Sequence, residues 1–348
     1  MIPALHRRLL NASHLRHARP FYWREAALCV PAMPLLLVAG FMAQNDIRVM
    51  IAAGAAFSVG FGAARDLRGR RWAAMLTATL GMAVMAFIGS LSGQWPLLLT
   101  GLAATSAAAC AAMALVDEDL WWVMLQLVIA LLVAGYYPGP LSAALSRSVS
   151  VLVGGGFQMI VVIVLARLAP AAAGRLPRGP PRSALEPRLM VSHTLRAAIC
   201  VALSLTVANA LHLANSYWAP MTAMIVLKPG LHETQARGLA RLAGTLAGCA
   251  AASLFAIAVG YSAPWLVLGL TVTAGSAFAL QKAHYGVLTA AITATVVLLL
   301  SIGRGQVLAN AEHRIIATLL GGIIALAVAA IAPHAPRSAS AAADHVGA

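Results

Sequence analysis

Apolar residues run along this chain in blocks of membrane-crossing length, separated by short polar or basic breaks. A helix of about 20 predominantly apolar residues spans a hydrocarbon core of about 30 Å. Twelve such blocks lie near 24–43, 47–64, 72–90, 95–116, 121–137, 145–168, 191–211, 217–228, 238–259, 263–281, 285–302 and 311–332. The second and eighth are the least hydrophobic and are candidates for broken or tilted helices. The first and second are joined by Gln44-Asn45-Asp46, which predicts a hairpin. Long continuous runs exclude a transmembrane β-barrel, whose strands would be short and alternating. The expected fold is an all-α polytopic transmembrane helix bundle of about 12 spans.

Composition sharpens this picture. Hydrophobic residues make up 61% of the 348 and charged ones only 10%, too few to clothe a soluble domain of this size. The net charge of +14 would suggest nucleic acid in a soluble chain. Here the arginines crowd into short loops, so topology and anionic lipid explain them and no nucleic-acid partner is expected. Arg7, Arg8, Arg16 and Arg19 precede the first block. Arg65, Arg68, Arg70 and Arg71 follow the second. Arg167, Arg175, Arg178, Arg182 and Arg188 fill the middle linker, and Lys228, Arg237 and Arg241 lie around the eighth-to-ninth junction. With twelve spans all of these fall on one side, so both termini are expected in the cytoplasm. Arg48 and Arg304 are the exceptions. The basic N-terminal stretch carries no cleavable signal pattern. Cys29, Cys110, Cys200 and Cys249 sit inside apolar blocks, as small buried side chains do.

The two halves echo each other. Ala26 to Val30 matches Ala197 to Val201, and Arg147 precedes Gly154-Gly155 as Arg314 precedes Gly321-Gly322. Each half has an even number of blocks, so the expectation is two parallel six-helix repeats related by an axis along the membrane normal. The boundaries read 1–168 for the first repeat, 169–190 for a Pro- and Arg-rich cytoplasmic linker, 191–334 for the second repeat and 335–348 for a short tail.

The stretch from His212 to Pro229, followed by Arg237 to Gly248, carries the most chemistry. An arginine entering a bilayer is costly, which makes a functional role the first hypothesis. Arg237 and Arg241 are four apart and share a helix face. They either mark the cytoplasmic helix end or, with Arg68 from the first half, form a cationic vestibule. Lys228-Pro229 ends a helix and frees backbone carbonyls, tolerable beside a cavity, or is a plain interfacial end with Lys228 snorkelling. Arg147 and Arg314 are predicted near the outer ends of their blocks, where the positive-inside rule does not explain them; pore lining and structural pairing, with Glu312 beside Arg314, both fit. Tyr217 and Trp218 fit an interfacial aromatic belt or a stacking surface for an aromatic substrate. His212, His232 and His284 lack partners at metal spacing, so no metal and no cofactor is expected. Nucleotide-binding motifs are absent from the sequence. Asp117-Glu118-Asp119 stands without a second acidic motif, so no enzyme is expected.

Tyr217-Trp218-Ala219-Pro220-Met221-Thr222, Lys228-Pro229, Thr234, Arg237 to Arg241, Gly244-Thr245 to Gly248 and the Glu312-His313-Arg314 to Gly321 segment resemble the FUSC family, which includes fusaric acid resistance proteins and aromatic carboxylic acid exporters. The resemblance is distributed over about 120 residues of the second half. It implies a bacterial inner-membrane protein with six-span units, distantly similar to plant malate-permeable anion channels, and organic anions as cargo. Many members carry a large soluble domain after the first six spans, where this chain has only the linker. The resulting expectation is an exporter of small organic anions, aromatic ones included, with Arg237, Arg241, Arg68, Lys228, Tyr217, Trp218, Arg147 and Arg314 along its path. A passive anion channel and a non-transporting scaffold or accessory subunit are the alternatives. Beyond the lipid bilayer and the anion, a homo-oligomer and an efflux partner protein both stay open as partners.

Overall fold

The computed structural model describes residues 21–43, 46–70, 72–170, 187–302 and 307–331. The basic N-terminal segment, most of the linker, the C-terminal tail, Arg71 and Arg304 lie outside the described residues. Within them the chain is all-α, and its only extended pairing is an isolated Leu67–Arg70 bridge.

Helices fall where the apolar blocks predict them. The first block holds α1 (Trp23–Cys29) and α2 (Ala32–Met42), broken at Pro31, which has no N–H to donate. Then come α3 (Asp46–Gly60), α4 (Ala73–Ser92), α5 (Pro96–Val116), α6 (Glu118–Tyr136) and α7 (Leu141–Leu168). The second half has α8 (Pro187–Ala210), α9 (Trp218–Val226), α10 (Leu231–Ala258), α11 (Ala263–Ala279), α12 (Tyr285–Ser301) and α13 (Val307–Ile331). Asp117 caps α6 by accepting from the amides of Asp119 and Leu120, both at 2.8 Å. The acidic cluster that stood out in the sequence is therefore partly a helix start.

Eight helical segments are long and apolar enough to cross a membrane, α1 and α2 counting as one. The remaining four blocks are shorter. α11 and α12 have 17 residues each and α3 has 15. α9 has 9, about 14 Å of helix against a core of about 30 Å. The block at 217–228 is thus too short to cross as a helix. The reason is local: residues before it turn through left-handed backbone at His212 and Asn215 (φ 51° and 55°), and Pro229 follows it.

Helix pairing recurs along the chain. α4 packs on α6 and α7, and α3 on α7. In the second half α10 packs on α12 and α13, and α9 on α13. Across the halves α5 meets α8, and α11 meets α1 and α2. Glycines at matching places in the two halves are among those that permit close approach. A Cβ at Gly154 would lie 2.0 Å from the Ala52 carbonyl oxygen, and one at Gly321 would lie 2.3 Å from that of Ala219. Close backbone contact of this kind holds helices together in lipid, where the hydrophobic effect between helices is weak. The main core draws on both halves, with Phe57, Phe61 and Phe278 clustered at centroid distances of 4.9–5.4 Å. Outward positions such as Leu97, Leu254 and Ile323 are exposed apolar side chains, as a lipid-facing surface requires.

A cationic cavity between the helices

A cavity of about 2070 Å³ runs between the helices. Its wall carries Arg65, Arg147, Lys228, Arg237, Arg241, Lys282 and Arg314, set against Glu118 and Glu233. Between the charges it is apolar and aromatic, with Trp121, Trp122, Tyr136, Tyr137, Tyr217, Trp218 and Tyr285. A wide apolar wall with a few converging charged groups is the usual make-up of a small-molecule site.

At one end the cations meet carboxylates. Arg65, in the loop after α3, donates to the Asp119 carboxylate at 3.0 Å and lies 5.2 Å above the Trp122 ring centroid. Burial pulls the Arg65 guanidinium below its ordinary pKa, and Asp119 and Glu118 oppose that pull. Lys282, in the turn before α12, pairs with Glu118 at 2.6 Å, tying the start of α6 to the start of α12. Lys228 lies 5.7 Å from the Trp121 ring centroid.

Deeper in the cavity the cations meet rings instead. Arg237 stacks on Tyr285 at 3.5 Å from guanidinium carbon to ring centroid, and Arg314 stacks on Trp218 at 4.9 Å. Arg241 and Arg314 are 6% and 4% exposed, and they sit close enough for their charges to repel. The Nε–H groups of Arg237, Arg241 and Arg314 are buried without a hydrogen-bond acceptor among the described residues. Those residues also place no carboxylate within ion-pair distance of these three.

A chain of rings links the halves at the far end. Tyr137, Tyr136, Tyr217 and Trp218 follow one another edge-on at 4.8, 5.3 and 5.4 Å. Arg147 caps the chain at Tyr137 (5.8 Å) and Arg314 at Trp218. Tyr217 and Trp218 are 4% and 3% exposed, so they are packed wall residues rather than an exposed interfacial belt.

The irregular backbone after α9 is fully used. The Pro229 carbonyl accepts from Arg196 Nη2 at 2.8 Å. Thr234 accepts from the Lys228 amide at 3.0 Å and donates to the Gly230 carbonyl at 2.8 Å. The proline that ends α9 thus leaves carbonyls that α8 and α10 satisfy, and Lys228 is held at the cavity wall.

The residues singled out in the sequence therefore converge, with one exception. Arg237, Arg241, Lys228, Tyr217, Trp218, Arg147 and Arg314 all line the cavity. Arg68 does not: it is exposed, at φ 51°, in the tight Leu67–Arg70 turn. Arg65, three residues earlier, occupies the wall in its place. The anticipated pairing of Arg314 with Glu312 is not made; Glu312 points outward, two residues away on the helix. Tyr285, Lys282 and Glu118 enter the site without having been picked out for it. Tyr285 opens an apolar block, and no spacing rule connects it to Arg237 on a different helix.

Among known proteins, an uncharacterized protein, ORF2, from Neisseria gonorrhoeae is 31% identical over 141 residues. That alignment takes in 39% of this chain and 32% of the relative, so the chain spans about a third of the relative's length. No solved structure matches. The sequence model of the fusaric acid resistance protein-like family matches residues 201–328, the segment that supplies Arg237, Arg241, Tyr285 and Arg314; over those residues the resemblance to the FUSC family is borne out, and with the apolar helices it marks a multi-pass membrane protein.

Proposed function

We propose that this protein moves small organic anions, aromatic carboxylates among them, across a bacterial inner membrane through the cavity between its two halves. The observation that carries the reading is the group Arg241 and Arg314, buried in a cavity wall, with half-buried Arg237 beside them and no carboxylate within ion-pair distance among the described residues. A bare anion cannot cross hydrocarbon, and fixed guanidiniums offset its lost hydration. Arginine offers a planar fork that matches a carboxylate. The rings of Trp218 and Tyr285 beside those guanidiniums give an aromatic cargo a surface to stack on.

The halves act as two parallel six-helix units in this reading. Support comes from an offset that recurs from α3 onward, whereas the earlier match of Ala26 with Ala197 runs at 197 − 26 = 171. Arg147 and Arg314 differ by 314 − 147 = 167, Gly154 and Gly321 by 321 − 154 = 167, and Ala52 and Ala219 by 219 − 52 = 167. The helix caps Asp117 and His284 keep the same offset, 284 − 117 = 167. The carboxylate-paired end would face the cytoplasm with both termini. A reporter fused near Ser262 is expected to be periplasmic and one near Gly179 cytoplasmic; the reverse at either place would overturn the orientation.

The functional test is flux of a labelled aromatic carboxylate into liposomes. Arg241→Ala should cut it at least tenfold while membrane abundance stays near normal, and Arg241→Lys should recover part, because charge remains but the fork is lost. Unchanged flux in Arg241→Ala would remove the cationic path. A passive channel is the second reading. It is favoured by the absence of a carboxylate paired to the deep arginines among the described residues, which leaves no acid there to carry a coupling proton. Flux that ignores an imposed pH gradient would select it.

A further inference from the structure

We propose that the substrate-free protein holds a small inorganic anion of the halide class between Arg241 and Arg314, and that organic cargo enters by displacing it. The proposal rests on the reading of the cavity as an anion path, and it adds a resident ligand and a competition.

Charge balance leads to it. Arg241 and Arg314 are both more than nine-tenths buried, and Arg237 is half-buried beside them. Each has a buried Nε–H with no acceptor among the described residues. Arg241 and Arg314 come from different helices, α10 and α13, and their charges repel. The cavity's carboxylate Glu118 is occupied by Lys282. Buried like charges without counter-charge are among the most expensive arrangements a fold can keep. The stacked faces of Tyr285 and Trp218 offset part of that cost, but a ring face accepts no N–H in the guanidinium plane. The three arginines line the cavity wall, so an acceptor for their donors can come from there. The Tyr285 hydroxyl lies against Arg241, Arg237 and Thr289, a neutral oxygen that brings no counter-charge to the guanidiniums. Converging N–H donors around a cationic centre suit a compact monoanion, and chloride is the commonest such ion in water.

One consequence is mutual exclusion. A carboxylate bound to the same guanidiniums must expel the halide, so cargo affinity should fall as chloride rises at constant ionic strength. A general screening effect would not distinguish chloride from gluconate, whose chain of hydroxyls would lose its hydration against the apolar, aromatic wall.

The test uses the full chain, purified in detergent. Thermal midpoints are measured in sodium chloride and in sodium gluconate at equal ionic strength, alongside equilibrium binding of radiolabelled chloride. Wild type should be stabilised saturably by chloride and not by gluconate, since a ligand that binds only the folded state raises its stability. Arg241→Gln and Arg314→Gln should each weaken chloride binding at least tenfold. Tyr285→Phe keeps the ring under Arg237 and removes only the hydroxyl that lies against Arg241; about threefold weaker binding is expected. A sodium phosphate arm tests the ion class: phosphate stabilising where chloride does not would overturn the halide assignment. Equal midpoints in chloride and gluconate with no labelled chloride bound would overturn the resident anion outright. Chloride binding that survives intact in both Gln variants would overturn its location. If a Gln variant fails to fold, the wild-type binding measurement and Tyr285→Phe still decide. Chloride binding without organic-anion flux would leave this site standing while the proposed function fell; flux without chloride binding would do the reverse.

Discussion

Arg147 and Arg314 hold matching places in the two halves of the chain, each seven residues before a Gly pair on the last helix of its half. Their surroundings differ sharply. Arg147 Nη1 donates to the Tyr137 carbonyl at 2.6 Å, to the Ala134 carbonyl at 3.4 Å and to the Ser90 hydroxyl. It staples α7 to the ends of α4 and α6. Arg314 makes no such bond; it lies on Trp218 with its Nε–H unpartnered. The neighbouring positions explain the difference. The residue matching Trp218 in the first half is Ile51 (218 − 51 = 167), which offers no ring. The residue matching Tyr285 is Glu118 (285 − 118 = 167), which holds Lys282. Of this pair, the first-half arginine is bonded to protein acceptors, and the second-half arginine has none among the described residues. The same arginine, repeated, has become a structural tie in one half and an available charge in the other.

That contrast is sharpest for paired substitutions. Arg314→Gln is expected to lower organic-anion flux about tenfold to a hundredfold, since a hydrogen bond to a charged group is worth about 1.5–3 kcal/mol. In chloride-free buffer its thermal stability should stay close to wild type, because there the change removes a buried charge that has no counter-ion. Arg147→Gln should do the opposite: flux within about threefold, but stability lower by about 1–3 kcal/mol as the Ser90 and Tyr137 contacts are lost. Flux in liposomes and unfolding of the detergent-purified protein measure both. Equal flux losses in the two variants would erase the division of roles.

The glycines should behave alike where the arginines differ. Gly321→Ala and Gly154→Ala each place a methyl within 2.3 Å and 2.0 Å of a backbone oxygen. Neither oxygen belongs to a flexible side chain, so α9 or α3 must shift away from its partner. A destabilisation of about 1–3 kcal/mol is expected for both. If only one responds, the equivalence of α3–α7 and α9–α13 fails at the level of backbone packing.

Helix positions were legible because apolar blocks of spanning length have few alternatives in folding. Arg237 and Arg241 could be placed on one face from spacing alone. Partnerships across helices could not be read from the sequence. The Tyr285 ring under Arg237, the Arg196 bond to Pro229 and the Lys282–Glu118 pair all depend on the crossing of helices that pattern does not specify. Arg68 misled because grouping it with Arg237 as a first-half counterpart assumes a helix in both places. The first sits in a tight turn with left-handed backbone at Arg68 and Gly69, so Arg65 takes the wall position. Tyr217 and Trp218 invited an interfacial reading because aromatic belts are common; their burial reflects the shortness of α9, which keeps its start inside the bundle.

The mildest change tests the carboxylate-paired end. Lys282 and Glu118 side chains are 22% and 39% exposed, and a pair so wetted contributes below about 1 kcal/mol. Lys282→Ala should therefore shift the unfolding midpoint little. What it changes is the constraint between the starts of α6 and α12, two helices from opposite halves that meet at this mouth. If the mouth must part for cargo to pass, freeing Glu118 has two opposed effects. The tie is lost, which favours opening, and a carboxylate left with less counter-charge, that of Arg65, stands beside an anion path, which repels cargo more strongly. The double variant Lys282→Ala with Glu118→Gln removes the tie without leaving the charge. Flux about twofold above wild type in the double variant, and at or below wild type in the single one, would assign the pair a gating role. Identical flux in all three proteins would confine the pair to the structure and leave the deep, ring-stacked arginines as the site of control.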